Sequence, residues 1–228
     1  MNPELVLHVL VASSAAGSVF FAFRLYRSAR PRPRGRAVLL AMTLACLASL
    51  LWARHIEPYW IETTKTHVSW KGPPLRVVLF ADLHAGRMLR PEIRTAVERT
   101  NAVHPDVVVL AGDFVSGFDA DPAKLAILDE LRGLSPRNGT FAVLGNHDTE
   151  PAGSDEPRAD AIARHLEGLG VVVLRNAWRT VIPGVTIVGL GDYSAYDSDA
   201  PKAFANAPEG AAVKLSLPIG VGVCPAIR

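Results

Sequence analysis

The sequence predicts an α/β domain built on a parallel sheet, preceded by a membrane anchor. Three observations carry this. Residues 77–80, 107–110 and 141–144 are short, unbroken apolar runs, the form taken by strands buried on both faces. Each run gives way to a Gly or small residue and then to Asp, His or Asn, with Asp113 following Asp82 by 31 residues and Asn146 following Asp113 by 33. Such intervals fit a crossover helix between neighbouring parallel strands. Two longer apolar runs occupy the first 53 residues.

The 228 residues leave room for one ordinary domain and an appendage. A domain of about 150 residues can bury a real core. A net charge of +2 without a basic stripe argues against nucleic acid as a partner. Cys46 and Cys224 do not make a disulfide framework, and Cys46, in an apolar run, is expected to be a small buried hydrophobe.

Residues 1–60 form the expected anchor. Runs 5–23 and 37–53 approach the roughly 17 to 25 residues needed to cross a bilayer. Between them lie Arg24, Arg27, Arg30, Arg32, Arg34 and Arg36, with prolines that forbid one continuous helix. The first run has Glu4 and no Lys or Arg before it, which makes a poor secretory signal. A transmembrane helical hairpin follows as the expectation, with a single span as the alternative. The arginine-rich loop would stay cytoplasmic and place the residues after Ala53 in the periplasm or outside the cell. Trp52, Tyr59 and Trp60 fit either an interfacial aromatic belt or core packing.

Residues 61–216 form the expected globular domain. Segment 61–70, rich in β-branched and aromatic residues, reads as an entry strand, and 71–74 as the turn after it. The first buried strand then delivers Asp82 and His84 at its carboxyl end, where open α/β sheets place ligand sites. Two residues apart, they would project the same way from an extended chain and could hold one divalent ion. Helix 91–101 starts at Pro91 and points Ile93, Ala96 and Val97 to one side. His104 reads as a loop residue. The second strand ends in Gly112 and Asp113, helix 123–131 follows a polar loop, and the third strand ends in Gly145, Asn146, His147 and Asp148. Segment 149–157 reads as an exposed loop at the site mouth, 158–169 as a helix with His165 as an ordinary member, and 171–174 and 185–190 as further strands. One at a time these residues have plain explanations: Asp113 can cap a turn, Asn146 can take a left-handed turn, His147 can be a surface histidine. Three strand ends converging on one pocket favour a site.

The segments Asp82-Leu83-His84, Gly112-Asp113-Phe114 and Gly145-Asn146-His147-Asp148, in this order and spacing, resemble the calcineurin-like metallophosphoesterases. The likeness is closest to their membrane-anchored bacterial branch and covers about residues 63–213, including the strand end Gly189 to Tyr193. It implies the calcineurin-like metallophosphoesterase sandwich and hydrolysis of a phosphate mono- or diester or pyrophosphate at two divalent metal ions. Mn, Fe, Zn and Mg all suit mixed oxygen and nitrogen ligands. By resemblance, Asp82 and His84 hold the first ion, Asp113 bridges the two, and Asn146 gives the second an amide oxygen. His147 would stabilise the transition state or protonate the leaving oxygen, and Asp148 would orient His147. The expected partners are a phosphoester substrate, with a lipid-linked one suggested by the anchor, and the bilayer of the cell membrane. No protein partner is inferable.

The chain also departs from the family pattern. The family supplies two later histidine motifs, whereas the only histidine after His147 here is His165. Residues 217–228 form an aberrant tail without usable periodicity, as a truncation or shifted reading frame would leave. Such a break would take ligands from each ion and leave the sheet one or more strands short, with an open edge. Two other readings therefore stand beside the enzyme: an impaired relative that binds metal weakly, and a membrane protein whose remaining part only engages partners. No nucleophile elbow, Gly-rich phosphate loop or dinucleotide fingerprint supports other chemistry.

Overall fold

The computed structural model describes residues 24, 33–56, 60–69, 72, 74–117, 119–149, 157–193, 195–208 and 213–217. The chain divides into two compact units, Met1–Glu62 and Thr63–Arg228.

The first unit holds helix α1, Pro33–His55. Val38, Leu40, Met42, Leu44 and Leu51 are all exposed on it. The Trp52 and Trp60 rings lie 6.2 Å apart. Among the described residues no helix is long and apolar enough to cross a membrane, so the predicted hairpin lacks support there. Its first run, 5–23, and Tyr59 lie outside the described residues. Cys46 is exposed rather than buried, because no described element of its unit covers that side of the helix.

In the second unit, β1 (Val77–Ala81), β2 (Val107–Ala111), β3 (Thr140–Val143) and β4 (Val171–Val173) form a parallel sheet in chain order. The crossovers are helix α2 (Arg90–Ala102), helix α3 (Pro122–Ile127) continued by a 3₁₀ turn (Leu128–Gly133), and helix α4 (Pro157–Gly168). Pro91 opens α2, and the Glu92 carboxylate accepts the Leu89 N–H at 3.0 Å, satisfying one orphan donor of the first turn. Alternation along each strand sorts its side chains between two cores. Val108, Leu110 and Ala142 pack with Ile93, Val97, Leu128, Leu131, Ile162 and Leu166 of the helical layer. Val107, Val109, Phe141 and Val143 turn the other way, onto Leu174 and Ile187.

Ile187 belongs to a second sheet, β5 (Ala177–Ile182), β6 (Val185–Gly189) and β7 (Val213–Leu217). β5 and β6 are an antiparallel hairpin, and β7 pairs parallel to β6. The layers run helices, parallel sheet, mixed sheet. Gly189 is obligatory in that stack, since a Cβ there would lie 2.3 Å from the Leu174 Cβ and 2.7 Å from Val143 Cγ1.

Several expectations need correction. Residues 61–69 form no strand. β-branched residues favour a strand only where a neighbouring ladder takes up the backbone, and among the described residues the outer edge of β1 is unpaired. Leu79, in register with Val109, is 61% exposed on the face where Val109 is buried, so β1 is not buried on both faces as its sequence suggested. Strand β5 and the short helix α5 (Ala200–Phe204) were not foreseen. Arg179 and Thr180 break the apolar run of β5, and five residues of α5 are too few to show a helical period. Residues 218–228 of the tail lie outside the described residues.

Candidate metal centre

In-register pairing aligns the carboxyl ends of β1, β2 and β3: Ala81 sits opposite Ala111, and Ala111 opposite Val143. The three motif loops therefore emerge side by side. The first two are also stitched together by backbone. Asp82 N–H donates to Gly112 O at 3.2 Å, His84 N–H to Asp113 O at 2.8 Å, and Ala85 N–H to Phe114 O at 2.7 Å.

The chain reaches this geometry through unusual torsions. Asp82, His84 and Asp113 take φ of +55°, +43° and +54°. Asp and His tolerate the left-handed region better than most side chains. Such residues nonetheless cost on the order of 1 kcal/mol or more each, and they cluster at functional sites. The pairing of Asp82 with His84 thus comes from two left-handed residues rather than from the extended chain the spacing suggested.

Four of the six expected site residues are brought to one place. His84, Asp113 and His147 each offer a ligand atom within 4.8 Å of the others. His84 Nε2 lies 3.7 Å from Asp113 Oδ2, and the His84 and His147 rings meet edge to face with centroids 4.9 Å apart. Asp82 adjoins this group. Its carboxyl is held above the usual carboxylate range by burial first and then by the Asp113 carboxylate, while the His84 and His147 imidazoles pull it back. Asn146 is half-buried in the same turn as His147.

The donors fit a divalent cation. Two carboxylates crowd each other, and a cation between them would reverse the strain on Asp82. His84 Nδ1 is buried with no hydrogen-bond partner among the described residues, which a lone neutral imidazole rarely tolerates. Mixed imidazole and carboxylate donors suit Zn, Mn or Fe.

His147 and Asp148 find partners the sequence did not indicate. His147 Nδ1 lies 3.1 Å from Gly117 O, so the ring's orienting acceptor is a backbone carbonyl. Asp148 is fully buried, and its two carboxylate oxygens accept backbone N–H groups: Oδ1 from Phe114 at 2.8 Å and Val115 at 3.3 Å, Oδ2 from Gly145 at 3.0 Å. Burial raises its carboxyl to about 7, against the downward pull of those three donors. The carboxylate of Asp148, expected to orient the His147 ring, is thus engaged by three backbone donors. Gly117 was overlooked; its φ of +79° after a buried Ser116 marks a turn, and the Ser-Gly pair was the available signal. Gly145 was noted only as a small residue. A Cβ there would lie 2.2 Å from Asp113 Oδ1, so the third loop can approach the second only as glycine.

Comparison with known proteins gives the family. A family model for calcineurin-like phosphoesterases matches residues 75–205. UDP-2,3-diacylglucosamine pyrophosphatase LpxG of Chlamydia muridarum is 26% identical over 218 residues, covering 74% of this chain and 65% of the relative. The uncharacterized metallophosphoesterase YkuE of Bacillus subtilis is 28% identical over 137 residues, covering 57% and 46%. A transmembrane protein with metallophosphoesterase domain from Danio rerio is 37% identical over 105 residues, covering 45% and 22%. The chain spans less than two thirds of the length of each of these curated relatives. With its matched region holding all three strand-end motifs, the chain belongs to the calcineurin-like phosphoesterase family.

Proposed function

We propose that the chain is a metal-dependent phosphoesterase working at a two-ion site, with Asp82, His84, Asp113 and Asn146 as ligands. The observation that carries this is the convergence of His84, Asp113 and His147 within 4.8 Å at three parallel strand ends. When bound, the ions supply an activated water and offset charge on the phosphoryl oxygens. Asp113 lies between His84 and the His147 backbone N–H, which supports the reading of it as the ligand that both ions would share. His147 Nδ1 lies 3.1 Å from Gly117 O, a contact that orients the ring, and the reading gives this ring the transfer of a proton to the leaving oxygen. The left-handed torsions of Asp82, His84 and Asp113 hold the donors ready before substrate arrives.

The substrate reading is a pyrophosphate or phosphoester with a lipid tail. It is supported by the printed activity of the LpxG relative, a diacylglucosamine pyrophosphatase. Attachment to a membrane on its extracytoplasmic side goes with it. The exposed Leu40, Leu44 and Leu51 of α1 and the transmembrane relative from Danio rerio support attachment without establishing a span.

Hydrolysis of bis-p-nitrophenyl phosphate and of a diacylated nucleotide-sugar pyrophosphate by the full chain in detergent, with Mn²⁺ and beside Asp113→Asn, tests the reading. Asp113-dependent turnover that favours the lipid pyrophosphate supports it. Turnover unaffected by Asp113→Asn would sink the assigned site, and preference for the water-soluble diester would sink the lipid reading.

A further inference from the structure

The geometry points to Asp148 as a positioning residue whose carboxylate ties the three metal-loop segments together through their backbone. This rests on the proposed metal site and adds a determinant of its shape. Asp148 Oδ1 accepts from Phe114 N and Val115 N, the two residues after Asp113, and Oδ2 accepts from Gly145 N, which opens the turn carrying Asn146 and His147. The same turn closes on itself, since Asp148 N–H and Thr149 N–H both donate to Gly145 O at 3.0 Å. The link extends to the first loop. Ala85 N–H donates to Phe114 O, and both the N–H and the hydroxyl of Ser116 donate to Ala85 O, at 3.0 and 2.9 Å.

One buried carboxylate thus joins the β2 and β3 loops directly and the β1 loop through one further step. Backbone N–H groups left unpaired in a buried site are costly, so the three donors fix where the carboxylate sits and the carboxylate fixes them. Among the described residues, Asp148 gives no ligand atom to the donor group. Its effect on the centre passes through Asp113, which Phe114 follows, and through His147, which it follows. Supporting groups one step behind metal ligands typically change metal affinity by about 10- to 100-fold when removed.

Asp148→Asn is the direct probe. It preserves shape and an oxygen for Phe114 and Val115, but sets an NH₂ group against the Gly145 N–H. Hydrogen exchange of the metal-free full chain in detergent, read on peptides covering 113–117 and 145–149, should show faster exchange in both peptides for the variant. Mn²⁺ titration should show affinity lowered about tenfold or more. Unchanged exchange in the two peptides overturns the clamp. Faster exchange with unchanged Mn²⁺ affinity overturns the positioning role and leaves a structural one. If wild type itself binds no Mn²⁺, the functional reading fails, while the exchange result still decides the clamp. If the variant does not fold, wild type decides it alone: Phe114, Val115 and Gly145 amides that exchange as fast as open loop amides contradict the clamp.

Discussion

The backbone N–H of His147 donates to Asp113 Oδ1 at 3.0 Å. The turn after β3 therefore holds the carboxylate at the end of β2, and leaves Asp113 Oδ2 turned toward His84 Nε2 at 3.7 Å. One acceptor oxygen is committed to the scaffold and the other to the centre. Asp113 is where the two crossing requirements of the site, position and charge, meet.

The Asp113 carboxylate is one of the causes that hold the Asp82 carboxyl above its usual range. Asp113→Asn removes one of two crowded carboxylates, yet its amide oxygen can still accept from His147 N–H. The metal-free variant is expected to melt at or above the wild-type temperature, the reverse of what most buried substitutions do. Added Mn²⁺ should raise wild type and leave the variant unmoved. Thermal unfolding with and without Mn²⁺ reads both; a clearly lower melting point for the metal-free variant would count against charge crowding.

Gly145 tests the packing side of the same contact. A Cβ would lie 2.2 Å from Asp113 Oδ1 and 2.7 Å from Asp113 N. Gly145→Ala should lower stability by about 1 to 3 kcal/mol, the range for overpacking a tight site. Because the loops must part to admit the methyl group, Mn²⁺ affinity should fall as well. Urea denaturation and Mn²⁺ titration of one preparation would show whether the losses go together.

Metal removal should act on stability by mass action. A ligand at about 100 times its dissociation constant stabilises the folded state by about 2.7 kcal/mol. Chelation of a Mn²⁺-loaded sample should lower its melting temperature, and readdition should restore it. A melting temperature that ignores chelator would contradict a bound ion.

The helical layer supplies a control remote from the centre. Glu130 is held below the usual glutamate range by its hydrogen bond to Arg94, with Arg90 assisting; Arg94 Nε lies 2.9 Å from the carboxylate. A depressed folded-state pKa means the stabilisation is present above the unfolded value of 4.5 and is lost as pH falls through the folded one. Arg94→Ala should lower the melting temperature slightly at pH 7, and the difference from wild type should vanish in strong acid. Mn²⁺ affinity at pH 7 should not change.

Much of the centre was legible because strand, loop and ligand chemistry repeat together in the sequence. Val107 to Leu110 announced a buried strand, and Gly112 and Asp113 the turn that ends it. What could not be read was local torsion. Nothing in the order of residues distinguishes an extended Asp82 from one at φ +55°, since Asp is at ease in both. The surroundings of Asp148 were hidden for a related reason: adjacency to His147 in the chain suggested that it orients that ring, whereas the turn sends its carboxylate to backbone donors 33 and 34 residues earlier. Segment 61–69 misled because β propensity describes a fit to a neighbouring strand, and the residues themselves do not supply one.

The most direct test of the account is metal content. Full-length protein purified in detergent, loaded with Mn²⁺ and passed through a desalting column, should retain two ions per chain by elemental analysis, and Asp113→Asn should retain none. A wild-type chain that emerges without metal, folded and monodisperse, would contradict the proposed centre.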